Sequence, residues 1–436
     1  MNFRKLIKIF IPKGLFRIIE PYGHLLESFL FNLINFFPTR NIKVIGVTGT
    51  NGKTTTTFLI HHMLYQAGYK VGVMTTVGYG YGLDITPQIH HMTNVSTREM
   101  LHRIKIMKKE GMEWLVLETT SHALAQYRVF AIPYRIAVFT NLTQEHLAYH
   151  RTFERYRQAK LKMFKMTNRY RQGLRLGIVN ADDPNSDIFA NTTKNSLTYG
   201  LEKGSLVAKN IQLNPESVTY QTEYNNQTYH IICHIPGTFN VYNSLAAVAV
   251  GIKLGLSKNQ IEQGIASLKN VEGRMNPINQ GQDFTVIVDY AHSPDSFEKL
   301  FKDLKPIVKH KLIVLFGSLG GGDINKRSLQ GKLAGEYADY VYICEEDDRQ
   351  EPAENIMKDI VSGVKQSGKK ENVDYFLIHD RPTAIKAALS KAETNDIVLL
   401  LGKGHEKTIE HADGEHPYNE TEVAKQALKE LGYTKN

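Results

Sequence analysis

Between Lys43 and Leu59 the chain reads K-V-I-G-V-T-G-T-N-G-K-T-T-T-T-F-L, residue types and an order that suit phosphate binding. The β-branched run Val44, Ile45 and Val47 predicts a buried strand. Gly49, Asn51 and Gly52 predict a tight turn, and the pattern from Thr54 to Leu64 continues as a helix. In such a loop, backbone N–H groups and the helix N-terminus cradle a phosphate. Lys53 would neutralise it and the Thr54 hydroxyl could hold Mg²⁺. Val47 stands where the first glycine of the strict G-x-x-x-x-G-K-[ST] pattern belongs, so the loop is a variant. A second acid is expected nearby. Glu118 ends the apolar run Trp114–Leu117 and suits a metal ligand at the C-terminal end of a strand. Alone it would as often be a capping or surface acid. His146 and His150 are four apart and would share a face if helical. No thiol or acid set accompanies them, so a zinc reading is weak. His61-His62 and His90-His91 read as ordinary exposed pairs, because adjacent residues point different ways.

These residues need elements to hold them. From Ile42 to about Gly273 strands and helices alternate, which predicts a mostly parallel sheet covered on both faces. Strands are expected at Val44–Val47, Trp114–Glu118, Ile136–Thr140 and Arg175–Asn180. Helices are expected at Thr55–Ala67, Arg98–Glu110, Phe153–Lys165, Asn243–Leu254 and Lys258–Ser267. Val218–Glu223 and Thr228–His234, separated by Asn225-Asn226, predict an antiparallel hairpin. A second βα series runs from Thr285 to Leu431, so the fold class is α/β with two domains. The expected boundaries are 1–40 for a helical extension, 41–273 for a central domain and 274–436 for a C-terminal, Rossmann-like domain.

Composition narrows the class. At 436 residues with 42% hydrophobic and 22% charged residues, two or three globular domains are expected. The formal charge of +9 is scattered; it suits phosphate ligands or a membrane surface, without the aromatic-interleaved groove that nucleic acid requires. Cys233 and Cys344 are the only cysteines, which fits a reducing, cytoplasmic setting without a disulfide framework. In residues 1–37, Phe3, Leu6, Ile7 and Phe10, then Ile18, Leu25, Leu26, Phe29, Leu33 and others, follow a helical period, with Pro21 a kink. Lys8 and the lack of a small-residue cleavage site argue against a signal peptide. Two readings stay open: docking on the body or a second subunit, or a basic amphipathic face on the membrane.

In family order the chain carries G-T-N-G-K-T-T-T, E-T-T-S-H-A-L-A-Q-Y-R-V, N-L-T-Q-E-H-L-A-Y-H, Q-A-K-L-K-M-F, G-T-F-N-V-Y-N-S-L-A-A, E-G-R-M, V-D-Y-A-H-S-P-D, K-R-S-L-Q-G and G-K-G-H-E. The set resembles the Mur ligase family, ATP-dependent enzymes joining an amino acid to a peptidoglycan precursor. Its nearest likeness is the branch acting on UDP-N-acetylmuramoyl-L-alanyl-D-glutamate. The resemblance implies that Gly49, Thr50, Asn51, Gly52, Lys53, Thr54 and Thr55 hold ATP phosphates and one Mg²⁺. It implies a second Mg²⁺ on Glu118, His146 and a carbamylated Lys160, a residue otherwise read as a solvated charge. Asn240 and Asn243 match adenine-side positions, Asp289 a ribose contact, and Arg274 and His292 nucleotide contacts between domains. Thr93, Ser121, Gln126 and Arg128 match acceptor-peptide positions. Arg327, Arg349, Gly402 and Glu406 match those holding the incoming amino acid.

The implied reaction runs through an acyl phosphate, with domain closure excluding water. Only about forty residues precede the phosphate loop, where such enzymes carry a domain gripping UDP; a shortened or lipid-linked acceptor, or UDP contacts supplied by a partner, is therefore expected. Where diaminopimelate enzymes read D-N-P-R, this chain reads Asp347-Asp348-Arg349 after Glu345-Glu346, compatible with diaminopimelate or lysine. A folylpolyglutamate-type ligase and a noncatalytic membrane-associated scaffold are the competing readings. The first normally carries G-K-G-S; the second needs no pair of metals.

Overall fold

The structure is a computed structural model that describes residues 13–88, 93–214 and 216–434, without the side chains of 13–18, 147 and 148. The expected Phe3–Phe10 face and the His90-His91 pair lie outside the described residues. Two compact units are present: Met1–Ile211, Thr219–Ile232 and Phe239–Leu268 form one; Gln212–Val218, Cys233–Thr238 and Lys269–Asn436 form the other.

The first unit opens with α1 (Lys13–Ile34), β1 (Lys43–Thr48), α2 (Lys53–Gln66), β2 (Val71–Met74), β3 (Gly78–Tyr81), β4 (Asp84–Pro87), α3 (Thr97–Lys109) and β5 (Trp114–Glu118). It continues with α4 (Ser121–Ala125), β6 (Tyr134–Phe139), α5 (Leu147–His150), α6 (Phe153–Arg169), β7 (Leu176–Asn180), α7 (Ser186–Ala190), β8 (Asn195–Gly200) and β9 (Leu206–Val207). These strands make one nine-stranded sheet in the order β4-β3-β2-β5-β1-β6-β7-β8-β9, with β3 antiparallel to both its neighbours and the other pairings parallel. The continuous apolar runs of β1, β5 and β6 are buried, as strands covered on both faces require. β1 lies between β5 and β6, where the strand order changes direction: β1 leads to β2 on one side and β5 leads to β6 on the other. In such folds ligands bind outside the C-terminal ends of the strands at that point.

A three-stranded sheet follows, with β10 (Lys209–Asn214), β11 (Ser217–Tyr224) and β12 (Gln227–Cys233) in sequence order. Asn225 and Asn226 turn the hairpin with φ of 49° and 62°, the left-handed pair a two-residue turn demands. Helices α8 (Thr238–Leu254) and α9 (Lys258–Ser267) come next, and α9 packs against α2. Gly264 allows that approach, since a Cβ there would lie 2.7 Å from the Met63 backbone. Squeezed in this way, α2 buries His61 completely, correcting the exposed-pair expectation. Burial, then the charge of His62, holds the His61 imidazole down at about 3.

The second unit contains β13 (Asn276–Ile278), β14 (Thr285–Asp289), α10 (Pro294–Leu304), β15 (Leu312–Phe316), α11 (Ile324–Tyr337), β16 (Tyr340–Ile343) and α12 (Ala353–Val364). It is completed by β17 (Tyr375–Leu377), α13 (Arg381–Lys391), β18 (Ile397–Leu401), β19 (Thr408–His411), β20 (Gly414–Pro417) and α14 (Glu420–Glu430). The six-stranded sheet runs β13-β14-β18-β15-β16-β17, parallel except for β13 at its edge, and β19 pairs with β20 as a separate hairpin. Arg381 at the start of α13 is fully buried. It is forked onto Glu420 at 2.9 and 2.6 Å and also donates to the Leu401 carbonyl, tying α13, α14 and the end of β18 together.

Helix α1 runs unbroken through Pro21 and docks on the first unit. Ser28 Oγ and Thr97 Oγ1 share a hydrogen bond of 2.7 Å, and Lys105 reaches Asn35. Part of the apolar stripe is spent there, while Tyr22, Leu26, Leu30, Leu33 and Ile34 face outward. Among the described residues no helix is long and apolar enough to cross a membrane.

Candidate active site

Three neighbouring strands deliver the first unit's functional side chains. β1 runs directly into the turn Gly49–Gly52 and then α2. Gly52 sits at φ 80°, and a Cβ there would stand 2.2 Å from Asn243 Oδ1, so only glycine fits. Gly52 caps α2 without any side-chain bond, which leaves the first N–H groups of the helix for an anion. The loop is braced from β6: Asn141 Oδ1 accepts from the Asn51 amide at 2.9 Å, and Thr140 Oγ1 donates to the Asn51 carbonyl at 2.6 Å. Thr50 is held by Tyr156 and by the Thr143 amide. Lys53 Nζ donates to the Thr50 carbonyl at 2.6 Å, folded over the loop it would serve.

Four consecutive threonines open α2, an unfavourable choice for helix propensity. Three of their hydroxyls have work. Thr54 donates to Glu118 at 3.0 Å, Thr56 to Asn243 at 3.2 Å, and Thr57 back to the Lys53 carbonyl at 2.8 Å. The Thr55 side chain is buried in the same turn. Asn243 in turn donates to Asn240 at 2.8 Å, so both asparagines stand, buried, on α8 beside the loop.

Glu118 is paired with Val47 in the β5–β1 register, which places its carboxylate beside the loop. It is 1% exposed and accepts from Thr54 Oγ1, from the Thr76 amide at 3.1 Å and from Thr76 Oγ1 at 3.1 Å. All three are neutral donors. Its oxygens and the Thr54 hydroxyl are the hard donor set that Mg²⁺ takes. Thr93 joins this group through Thr76 at 2.8 Å.

Lys160 is the other buried charge. On α6 it occupies the core face with Tyr156, Met163, Phe164 and Thr167, a spacing legible as i, i+4, i+7, i+8 and i+11. The reading of Lys160 as a solvated charge is corrected: it is 1% exposed, with Nζ 2.5 Å from the Gly49 carbonyl and over the Tyr156 ring. Burial above all, then the charge of Lys53, holds this amine well below the ordinary lysine range, although Glu145 and Glu118 pull it upward.

His146 stands just ahead of α5 with φ 57°, its carbonyl accepting from the His150 amide at 3.0 Å. Both rings converge on His122, at 4.8 and 5.3 Å between centroids. His150 also bonds Ser121 at 3.0 Å. Burial, then the neighbouring imidazoles, holds His122 down at about 3; burial first again brings His150 to about 4. Arg128 donates to the Asn94 carbonyl at 2.9 Å, and Asn94 braces the Glu118 carbonyl at 2.7 Å. The Gln126 side-chain oxygen is buried with no hydrogen-bond partner, an acceptor facing no donor. Thr76, Asn94 and Asn141 are site residues that the sequence reading did not single out, because strand pairing alone brings them to Glu118 and the loop.

In the second unit Asp289 ends β14 and spends its two oxygens on the amides of Met275 and Ala291, each at 2.7 Å. Burial pushes its carboxyl up despite Arg274. Arg274 lies over the Tyr290 ring, and His292 bonds the Tyr290 carbonyl. Gly402, immediately after β18, has φ 103°, and a Cβ there would stand 2.5 Å from Glu346 Oε2. Lys403 is fully buried between Asp347 at 2.8 Å and Glu406 at 2.7 Å. Burial pushes the Glu346 carboxyl up to about 7. Arg349, at φ 57°, is anchored by Nε to Glu410 at 3.0 Å.

Arg327, matched to a position that holds the incoming amino acid, stands buried in α11. Its guanidinium is wholly buried, bonded to Glu351 at 2.7 and 2.7 Å, to Asp359 at 2.9 Å and to the Leu319 carbonyl at 3.0 Å. Those four bonds use all four terminal N–H groups. The remaining Nε is buried without a partner, so Arg327 braces the loop ahead of α11.

With this geometry in view, comparison with known proteins is specific. The Mur ligase middle domain model matches residues 47–251, and the model of the Mur ligase glutamate ligase domain matches 273–404. The UDP-N-acetylmuramoyl-L-alanyl-D-glutamate--2,6-diaminopimelate ligase of Caldanaerobacter subterraneus subsp. tengcongensis is 36% identical over 400 residues, 91% of this chain and 80% of that protein. The UDP-N-acetylmuramyl-tripeptide synthetase of Borreliella burgdorferi is 37% identical over 416 residues, covering 93% and 81%. Among solved structures, a diaminopimelate ligase of that type has a TM-score of 0.66 at 27% identity, over 95% of this chain and 84% of its own. The folylpolyglutamate synthase of Mycobacterium tuberculosis has a TM-score of 0.67 at 14% identity, over 94% and 96%, which shows a shared fold alone. By both domain models and by these relatives, the chain belongs to the Mur ligase family of ATP-dependent amide-bond ligases.

Proposed function

We propose that this ligase adds a diamino acid, diaminopimelate or lysine, to a muramyl-dipeptide-type acceptor in peptidoglycan precursor synthesis. The observation that carries the reading is the meeting of a phosphate loop with the buried Glu118 carboxylate, bonded to Thr54, at the ends of β1 and β5. The names of the relatives supply the substrate class.

In this reading a carboxylate oxygen of the acceptor attacks the γ-phosphorus of ATP, and the bond to the β-phosphate oxygen breaks to release ADP. The amine of the incoming amino acid then attacks the acyl carbon, loses a proton and expels phosphate. Lys53 and the N-terminal amides of α2 take the phosphate charge, and Asn240 and Asn243 face the base. Thr54, Glu118, His146 and Lys160 would hold Mg²⁺, which when bound offsets the negative charge of the phosphates. The neutral amine of Lys160 is the form that can take up CO₂ and become an anionic oxygen donor. The orphaned Gln126 oxygen suits an N–H of the acceptor peptide, with Thr93, Ser121 and Arg128 around it. Asp289, Arg274 and His292 serve the nucleotide. Gly402, Glu406 and the anchored guanidinium of Arg349 serve the incoming amino acid, and the acid-rich run from Glu345 to Asp348 favours a substrate bearing a second ammonium.

The test is phosphate release with ATP, a muramyl-dipeptide acceptor in UDP-linked and lipid-linked form, and a panel of amino acids. Turnover is expected with diaminopimelate or lysine, only in the presence of acceptor. Exclusive use of an uncharged amino acid refutes the diamino preference. Phosphate release indifferent to acceptor refutes the ligase assignment, and strict dependence on uridine refutes the lipid-linked expectation.

A further inference from the structure

Helix α1 leaves one face uncovered. Ile19, Tyr22, Leu26, Phe29, Leu30 and Leu33 stand at i, i+3, i+7, i+10, i+11 and i+14, one stripe of a helix, and all six are exposed. The opposite face is spent on the first unit, where Ser28 and Asn32 are buried. The stripe runs on into Phe36, which is 90% exposed at φ 53°, a backbone conformation that a bulky residue seldom adopts. The only acids of α1, Glu20 and Glu27, lie beside the stripe and turn to His24, at 4.0 and 3.6 Å. Monomeric proteins rarely leave so continuous an apolar face to water.

Charge at the two ends of the stripe identifies its occupant. At the C-terminal end an apolar cavity of about 970 Å³ opens among Leu33, Phe37, Ile132 and Met166, and Arg40, Arg169 and Arg171 line it as well. The three arginines are exposed, none is paired with an acid among the described residues, and no acid lines the cavity. Lys105 and Lys108 of α3 add two cations there, reaching Asn35 and the Pro38 carbonyl. At the other end, residues 1–18 of the sequence include Arg4, Lys5, Lys8, Lys13 and Arg17 and no acid. A second copy of the chain does not suit this face. In a two-fold contact a basic end would meet a basic end, whichever way the two helices ran. An anionic bilayer suits all of it: acyl chains take the stripe and headgroup phosphates take the guanidinium groups.

We propose that α1 lies on an anionic lipid bilayer, its outward stripe among the acyl chains and Arg40, Arg169 and Arg171 on headgroup phosphates. β6 begins beside the cavity and ends at the loop braces Thr140 and Asn141, roughly 20 Å away for six extended residues. Docking here therefore leaves the phosphate loop uncovered. The proposal does not depend on the ligase reading, because vesicle binding is read without turnover.

The full chain is floated with vesicles of neutral phosphatidylcholine, alone or with anionic phosphatidylglycerol, at low and at high salt. Binding is expected on the anionic vesicles, weaker on the neutral ones and weaker again in high salt. The triple variant Arg40→Gln/Arg169→Gln/Arg171→Gln should lower affinity for anionic vesicles about a hundredfold, the weight of three basic side chains at such a surface. Leu26→Glu/Leu33→Glu should abolish binding to both. Both variants should melt like the unchanged chain, since every replaced side chain is exposed. No binding to anionic vesicles, or binding that the triple arginine variant leaves unchanged, overturns the proposal. So does a dimer in sedimentation that Leu26→Glu/Leu33→Glu dissociates, which would make the face a contact between copies.

Discussion

Replacing Lys53 with alanine should lower ligase turnover about a thousandfold, the upper range for losing one preorganised donor to a developing anion. The reason is visible in the loop. The N-terminal amides of α2 supply partial charge, and Lys53 adds a full cation that can leave the Thr50 carbonyl for a phosphate oxygen. Lys53→Arg should not restore activity, because a planar fork does not replace a compact ammonium inside a tight turn. Folding should be nearly unaffected, since the loop is braced independently by Thr140 and Asn141. Steady-state phosphate release with melting curves checks both points. Activity within tenfold of the unchanged enzyme would remove the phosphate-loop assignment.

The second large effect is expected at Lys160. Lys160→Ala should cost about 10²–10³ in turnover, if the amine becomes an anionic ligand aimed at the phosphate site. The amine is buried and held well below the usual lysine range, so it is neutral over a wider pH span than a surface lysine. Its nitrogen can attack CO₂ and lose a proton to give the carbamate. Unmodified enzyme in CO₂-depleted buffer should lose activity and regain it with bicarbonate, whereas Lys160→Ala should not respond. The linkage sign follows from the depressed pKa. The unfolded chain binds a proton that the folded chain rejects, so unmodified Lys160 costs stability at neutral pH. That cost shrinks as pH rises toward the ordinary lysine range. No bicarbonate response in the unmodified enzyme would refute the carbamylation, and near-normal turnover in Lys160→Ala would refute any catalytic role.

Much of the fold was legible because strands covered on both faces announce themselves. Val44–Val47, Trp114–Glu118 and Ile136–Thr140 fall within or beside strands as the apolar runs predict, and Asn225-Asn226 marks its turn. Glu118 and the loop were readable for the same reason, each standing at the end of such a run. Pairing was the illegible part. Thr76 reaches Glu118 because β2 lies beside β5, and Asn141 reaches the loop because β6 lies beside β1, neighbours that local pattern does not name. Burial was the other illegible part, where tertiary structure overrules residue type. Lys160 and Arg327 look solvated or ligand-directed in sequence, yet both are buried, one under the loop and one against Glu351 and Asp359. His61 failed the same way, since α2 is covered from both sides. Only Lys160 carried a usable warning, its place on the apolar period of α6.

The central claim is that the acceptor carboxylate is activated by direct phosphoryl transfer. An acceptor labelled with ¹⁸O in its reacting carboxylate tests it in one turnover experiment. The account predicts one ¹⁸O atom in each phosphate released, because the attacking carboxylate oxygen leaves with phosphorus when the amine displaces it. Unlabelled phosphate, formed alongside amide product, would contradict the account.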